Sequence, residues 1–177
     1  MVLFSNLKKF FGESKEKPLV ISNGLFDTTR ANAVVNGFEG MDLFRSDLFD
    51  PYPLEKVGVS NPFRGNIDCS ELKKVLEANS KRTAIVMLTL TNNTAAGQPV
   101  SLSNIKETKK ICDQYNIPLW IDSCRIADNA YMIKCFEEGY KDVSVKEILK
   151  EIMSFADGFH FSVKKALANI GGIMCIK

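Results

Sequence analysis

Two spacings of apolar residues run through this chain, and each predicts a different element. Thr83 to Leu90 is β-branched and apolar throughout, the pattern of a buried strand. Leu19-Val20-Ile21, Ile117 to Ile121, Ala156 to Ser162 and Gly171 to Ile176 are further strand-like runs. Between them the period changes to helical. Leu72, Val75 and Leu76 form one apolar face, and Ile105, Ile111, Cys112 and Tyr115 form another. Val145, Ile148, Leu149, Ile152 and Met153 repeat most regularly of all. Helix starts are marked by capping-box patterns at Asp68-Cys69-Ser70-Glu71 and Ser144-Val145-Lys146-Glu147, and by Ser101 or Ser103. Pro118 marks the end of the helix begun at Ser101 or Ser103, and another helix is expected from about Ile126 towards Gly139. Residues 12–18 read as a polar connector. Residues 36–66, with Pro51, Pro53 and Pro62, read as mostly loop with short extended pieces. Strands alternating with helices predict an α/β fold with a mainly parallel sheet. The last strand ends with nothing after it to cover it, as in a chain cut short.

A length of 177 residues corresponds to one domain, large enough for a real core. The 23 basic and 21 acidic residues leave a net charge of +2, so no charge field points to nucleic acid or a membrane surface. Cys69, Cys112, Cys124, Cys135 and Cys175 are scattered without CxxC spacing, and His160 is the single histidine. No zinc set is readable, and reduced cytoplasmic thiols are the expectation. The opening Met1 to Phe11 is too short and too interrupted by charge for a signal peptide or membrane span. It reads as a small amphipathic helix that could dock on a partner, with packing on its own domain, or fraying, as the plainer reading.

The candidate chemistry sits at the ends of two strand-like runs. Ile117 to Asp122 leads into Ser123-Cys124-Arg125, and Ala156 to Ser162 leads into Val163-Lys164-Lys165. Open α/β sheets bind ligands at the carboxyl ends of their strands, so Asp122 and Lys165 are expected to face one crevice. A lysine that forms a Schiff base and a carboxylate that pairs with a pyridinium nitrogen are what a pyridoxal phosphate site needs. The small, apolar residues after Lys165 predict a partly desolvated amine. Ser162 is a candidate phosphate donor. Taken singly, these residues have plainer readings. Paired lysines are often solvated, Asp122 could cap the following helix, and Arg125 could pair with Asp122 or Asp128. Asn93 could be ordinary turn chemistry, and Phe26 could be core.

Several stretches together resemble the aromatic amino-acid β-eliminating lyases, tryptophanase and tyrosine phenol-lyase. They are Phe63-Arg64-Gly65-Asn66-Ile67-Asp68, Thr91 to Ser101 with its Gly97-Gln98-Pro99-Val100-Ser101, and Ile121-Asp122-Ser123-Cys124-Arg125. Asp128-Asn129-Ala130-Tyr131, Ser162-Val163-Lys164-Lys165 and Asn169-Ile170-Gly171-Gly172 complete the set. The resemblance runs from about Ser22 to the last residue. It implies part of the large domain of aspartate-aminotransferase-type (fold type I) pyridoxal phosphate enzymes. Residues 1–17 are then an N-terminal extension and connector, and residues 18–177 a partial cofactor-binding domain without the C-terminal small domain.

By that resemblance, Lys165 holds the cofactor and moves the substrate's Cα proton, while Asp122 keeps the ring nitrogen protonated. Arg125 and Asn93 contact the ring's phenolic oxygen, Phe26 stacks on its face, and Ser162 binds the phosphate with Lys164 near it. Asn169 would contribute to a monovalent-cation (potassium) site. The expected reaction releases the aromatic group of an amino acid and leaves pyruvate and ammonia. Phe26-Asp27-Thr28-Thr29 leans towards tryptophan, because Asp27 could accept an indole N–H and tyrosine phenol-lyases resemble Phe-Thr-Thr-Thr there. Tyrosine specificity is the alternative. Ala166 departs from the family's Asp, the approach to Asn169 is one residue shorter, and residues 31–62 are longer. The family's upstream Gly-Arg phosphate loop and its substrate-gripping arginine find no counterpart. A truncated or split relic, inactive alone or acting as a partner subunit, is therefore the competing reading. A homo-oligomer or a complementing chain is the expected assembly.

Overall fold

A computed structural model describes residues 2–11, 16–51, 62–166 and 169–177. Among these, six strands form one sheet in the order β2-β1-β3-β4-β5-β6. They are β1 (Leu19–Ser22), β2 (Glu39–Asp42), β3 (Thr83–Thr89), β4 (Leu119–Asp122), β5 (Gly158–Ser162) and β6 (Gly172–Ile176). All pairings are parallel except β5 with β6. The helices are α1 (Val2–Leu7), α2 (Asp27–Val35), α3 (Cys69–Asn79), α4 (Leu102–Gln114), α5 (Ile126–Phe136), α6 (Val145–Ser154) and the single turn α7 (Val163–Ala166).

Alternate strand residues separate into two cores because side chains alternate across a strand. Leu19, Ile21, Val86, Leu88, Leu119 and Ile121 pack with α3, α4, α5 and α6. Val20, Ile85, Met87 and Trp120 pack on the opposite face with Phe4 of α1 and Ala33 of α2. Every residue of β3 is buried, which explains why its sequence is apolar without alternation. The N-terminal helix packs on its own domain: Phe4 is buried with its ring 5.6 Å from that of Phe38.

Local chemistry sets the helix starts. The Ser144 hydroxyl accepts the Glu147 N–H at 3.2 Å while Glu147 accepts the Ser144 N–H at 3.1 Å, a complete capping box. The expected box at Asp68 is only half formed. Asp68 accepts the N–H groups of Ser70 and Glu71, but its own N–H is already donated to Leu43 and Glu71 turns to Lys74. Ser101, rather than Ser103, caps α4 through the Asn104 N–H. The helix expected to run towards Gly139 ends at Phe136.

The helices α2 and α7 are absent from the sequence expectation, and β2 is one of the short extended pieces expected within residues 36–66. Only Ala33 of α2 is buried, and β2 is a half-exposed edge strand, so neither carries a strong apolar period. Part of the expected loop, residues 52–61, lies outside the described residues. Because β1 lies between β2 and β3, the chain reverses its direction of travel across the sheet at the β1/β3 boundary. Such a reversal opens a crevice beyond the carboxyl ends of the strands, and the candidate residues gather there.

Candidate functional site

Asp122 is the last residue of β4, 3% exposed, on the same strand face as Trp120. It does not cap α5: the N-cap position is Arg125 and has no side-chain cap bond. Asp122 Oδ1 instead accepts the backbone N–H of Cys124 at 3.3 Å, and Oδ2 stands 3.3 Å from His160 Nε2. Strand register places that histidine, since Asp122 pairs with His160 across β4 and β5. Trp120 in turn donates its indole N–H to His160 Nδ1 at 2.9 Å. Burial works to raise the Asp122 pKa, but hydrogen bonding and charge from His160 and the Cys124 contacts outweigh it. The carboxyl is held below its ordinary value and is ionised at neutral pH.

Lys165 belongs to α7, directly after β5, and its Nζ lies 4.7 Å from the centroid of the Phe26 ring. It is exposed, which corrects the expectation of a desolvated amine. The reason is local: α7 is a single turn directly after β5, and both of its lysines are exposed. Phe26 occupies the position before α2 and is half-buried, with the Lys165 amine over its ring.

Arg125 donates to Asn93 Oδ1 and forms no ion pair with Asp122 or Asp128. Asn93 is free for this role because its neighbour does the turn's work. Asn92 accepts the N–H groups of Ala95 and Gly97, and its side chain donates to Asn23 O at 2.6 Å. Gly65 supports the same corner, since a Cβ there would stand 2.2 Å from Gln98 O.

A cavity of about 470 Å³ is lined by Cys124, Arg125, Phe161 and Lys165, among others. A second, of about 360 Å³, is lined by Thr29, Asn32, His160, Ser162 and Gly171. Burial pushes the Cys124 thiol up to about 11, against the opposing charge of Lys165, so it is protonated and a poor nucleophile. Asp122, Cys124 and His160 place ligand atoms within 4.8 Å of one another, a cluster that spacing in the sequence did not reveal. Within the cluster, Asp122 Oδ2 faces His160 Nε2, and Oδ1 accepts the Cys124 N–H.

The structure therefore brings together Asp122, Arg125, Asn93, Phe26 and Lys165 at one edge, with Ser162 at the end of β5. Asp27 and Lys164 are exposed at the rim. Asn169 is exposed, and its Oδ1 accepts the N–H of Ile170. Sequence reasoning passed over His160 and Trp120. Their signal was the two-residue spacing of Trp120 and Asp122, but the pairing with β5 depends on register, which one strand alone does not reveal.

A family model described as β-eliminating lyase matches residues 6–177. A tryptophanase of Salinibacter ruber is 50% identical over 88% of this chain and 32% of its own length. A tryptophanase of Rhodobacter capsulatus is 42% identical over 94% of this chain and 35% of its own length. The chain thus spans about a third of the curated relatives it matches. An aminotransferase structure from Neisseria meningitidis covers 99% of this chain and 39% of its own, with a TM-score of 0.58 at 15% identity. That likeness carries the fold, the mainly parallel sheet of the fold type I enzymes. Among the described residues, no helix is long and apolar enough to cross a membrane. With the family match running almost end to end, this chain belongs to the β-eliminating lyases.

Proposed function

We propose that the protein is a pyridoxal phosphate-dependent lyase that releases the aromatic group of an amino acid, with tryptophan as substrate. The observation that carries this reading is one crevice holding a buried ionised carboxylate, Asp122, and an accessible amine, Lys165, over the face of Phe26. The donor set fits the cofactor. An aromatic face, a carboxylate with lone pairs to spare and a polar Arg125–Asn93 pair match a flat, cationic, oxygen-bearing ring.

When bound, pyridoxal phosphate supplies an electron sink for a carbanion at the substrate's Cα. Lys165 Nζ would be the amine that holds the cofactor and the base for the Cα proton. Asp122 would accept a hydrogen bond from the ring nitrogen and keep its proton in place. Arg125 and Asn93 would hold the phenolic oxygen, and Ser162 would donate to the phosphate, with Lys164 adding positive charge at the rim. Phe26 would exclude water from one ring face. Asp27, at the start of α2, would accept the indole N–H. The tryptophanase names of the relatives support tryptophan over tyrosine. Asn169 would be a ligand of a monovalent cation: its Oδ1 accepts the N–H of Ile170 and keeps a second lone pair.

We also infer a subunit or chain partner. β6 is an edge strand exposed along its whole length, with Ile173, Met174 and Ile176 uncovered. The test of function is pyruvate formation from tryptophan and from tyrosine, with added cofactor and in the assembled protein. Tryptophan-dependent pyruvate that Asp122→Asn abolishes is the expected result. Turnover unaffected by that substitution contradicts the assignment.

A further inference from the structure

The single tryptophan and the single histidine of this chain are hydrogen-bonded to each other. Trp120 Nε1 can only donate, so the nitrogen it meets, His160 Nδ1, must be an acceptor. A proton on Nδ1 would point at another N–H. The imidazole proton is therefore on Nε2, and Nε2 is the atom 3.3 Å from Asp122 Oδ2. The ring lies nearly parallel to the indole, at 26°, with its side chain 30% exposed. Gly158 makes room for this arrangement, because a Cβ there would stand 2.3 Å from Trp120 Cζ3.

We propose that Trp120 and His160 are positioning residues for Asp122: the indole N–H fixes the Nε2–H tautomer, and that N–H orients the carboxylate towards the ring nitrogen. The direction of the bond matters. A neutral donor on Oδ2 steadies the anion without neutralising it, and a carboxylate has about four acceptor positions, so room remains for a third N–H beside those of Cys124 and His160. The other titratable groups beside the pair are Cys124, a neutral thiol, and Lys165, which acts on Cys124 from α7. The first link, the tautomer, stands on this chain alone. The second rests on the cofactor reading above.

Because there is one histidine, a long-range ¹H–¹⁵N spectrum of the cofactor-free protein reports His160 without assignment. In the neutral ring, recorded at mildly alkaline pH, Nε2 should be protonated and Nδ1 not. An Nδ1–H signal, or an averaged mixture of tautomers, overturns the proposal. His160→Gln keeps an acceptor for Trp120 and a donor for Asp122, whereas His160→Phe keeps only bulk. The Asp122 carboxyl should titrate highest in H160F, with H160Q between it and wild type, because glutamine keeps the hydrogen bond and loses the charge. Pyridoxal phosphate should bind about tenfold more weakly to H160F and within about threefold of wild type to H160Q. Equal behaviour of the two variants in both measurements overturns the positioning role. If wild type takes up no cofactor, the lyase reading fails, while the tautomer and the Asp122 titration still decide this one.

Discussion

Lys165 Nζ stands 4.7 Å above the ring of Phe26, joining the turn after β5 to the residue that opens α2. The two lie on elements that meet only because β1 and β5 end at the same edge of the sheet. The contact leaves the amine exposed yet aimed, and it leaves a flat apolar surface beside it. Phe26→Leu should weaken cofactor binding about threefold to tenfold, the value of about 0.5–1.5 kcal/mol for an aromatic partner. An absorbance titration with pyridoxal phosphate measures it, and unchanged affinity would remove Phe26 from the site.

Asp122 should make its mark on acid stability. Its folded pKa lies below the unfolded value of 3.8, so its contribution is fully present above about that pH and is lost as pH falls through the lower folded value. Asp122→Asn should therefore be less stable than wild type at neutral pH, by about 1–3 kcal/mol. The gap should close below about pH 4 as the wild-type carboxyl gains its proton. Urea denaturation at a series of pH values checks both the gap and its closure. Asp47, Asp68 and Glu147 are lowered too, so both proteins lose stability in acid and only the difference belongs to Asp122.

The half-formed box at Asp68 separates two substitutions that the sequence pattern treats alike. Asp68→Ala removes an acceptor of two backbone N–H groups and should cost about 0.5–2 kcal/mol. Glu71→Ala loses only an exposed pair with Lys74 and should cost well under about 1 kcal/mol. Thermal denaturation of the two variants gives the comparison, and equal losses would restore the full capping box.

Gly65→Ala should damage the site from outside it. The new methyl would meet backbone oxygens of Gln98 and Pro99, which cannot swing away as a flexible side chain does. The Thr91 to Pro99 corner would have to move, and with it Asn93 and its bond from Arg125. A loss of about 1–3 kcal/mol in stability is expected, together with weaker cofactor binding. Denaturation and cofactor titration of the same variant test whether the two losses travel together.

The central strands, the three main amphipathic helices and the convergence of Asp122 with Lys165 were legible in the sequence. Each rests on a local pattern: β3 is apolar throughout, α6 has a regular period, and strand ends in such folds meet at one edge. What stayed hidden depends on tertiary partners. α2 buries one alanine and so shows little amphipathic period. The Asp68 box fails because Leu43, distant in sequence, takes the N–H that Glu71 would have accepted. His160 looked isolated because its partners, Trp120 and Asp122, lie on a neighbouring strand whose register cannot be read from either strand alone. Lys165 was expected to be shielded by the residues after it, whereas its exposure follows from the single turn it occupies.

The central claim is that Lys165 is the amine that holds the cofactor. Pyridoxal phosphate titration of the protein, borohydride reduction and peptide mass mapping test it most directly. One reduced adduct is expected, on Lys165, absent from Lys165→Ala and not transferred to Lys164. An adduct on Lys164 or on scattered surface lysines, or none in a folded protein, would contradict it.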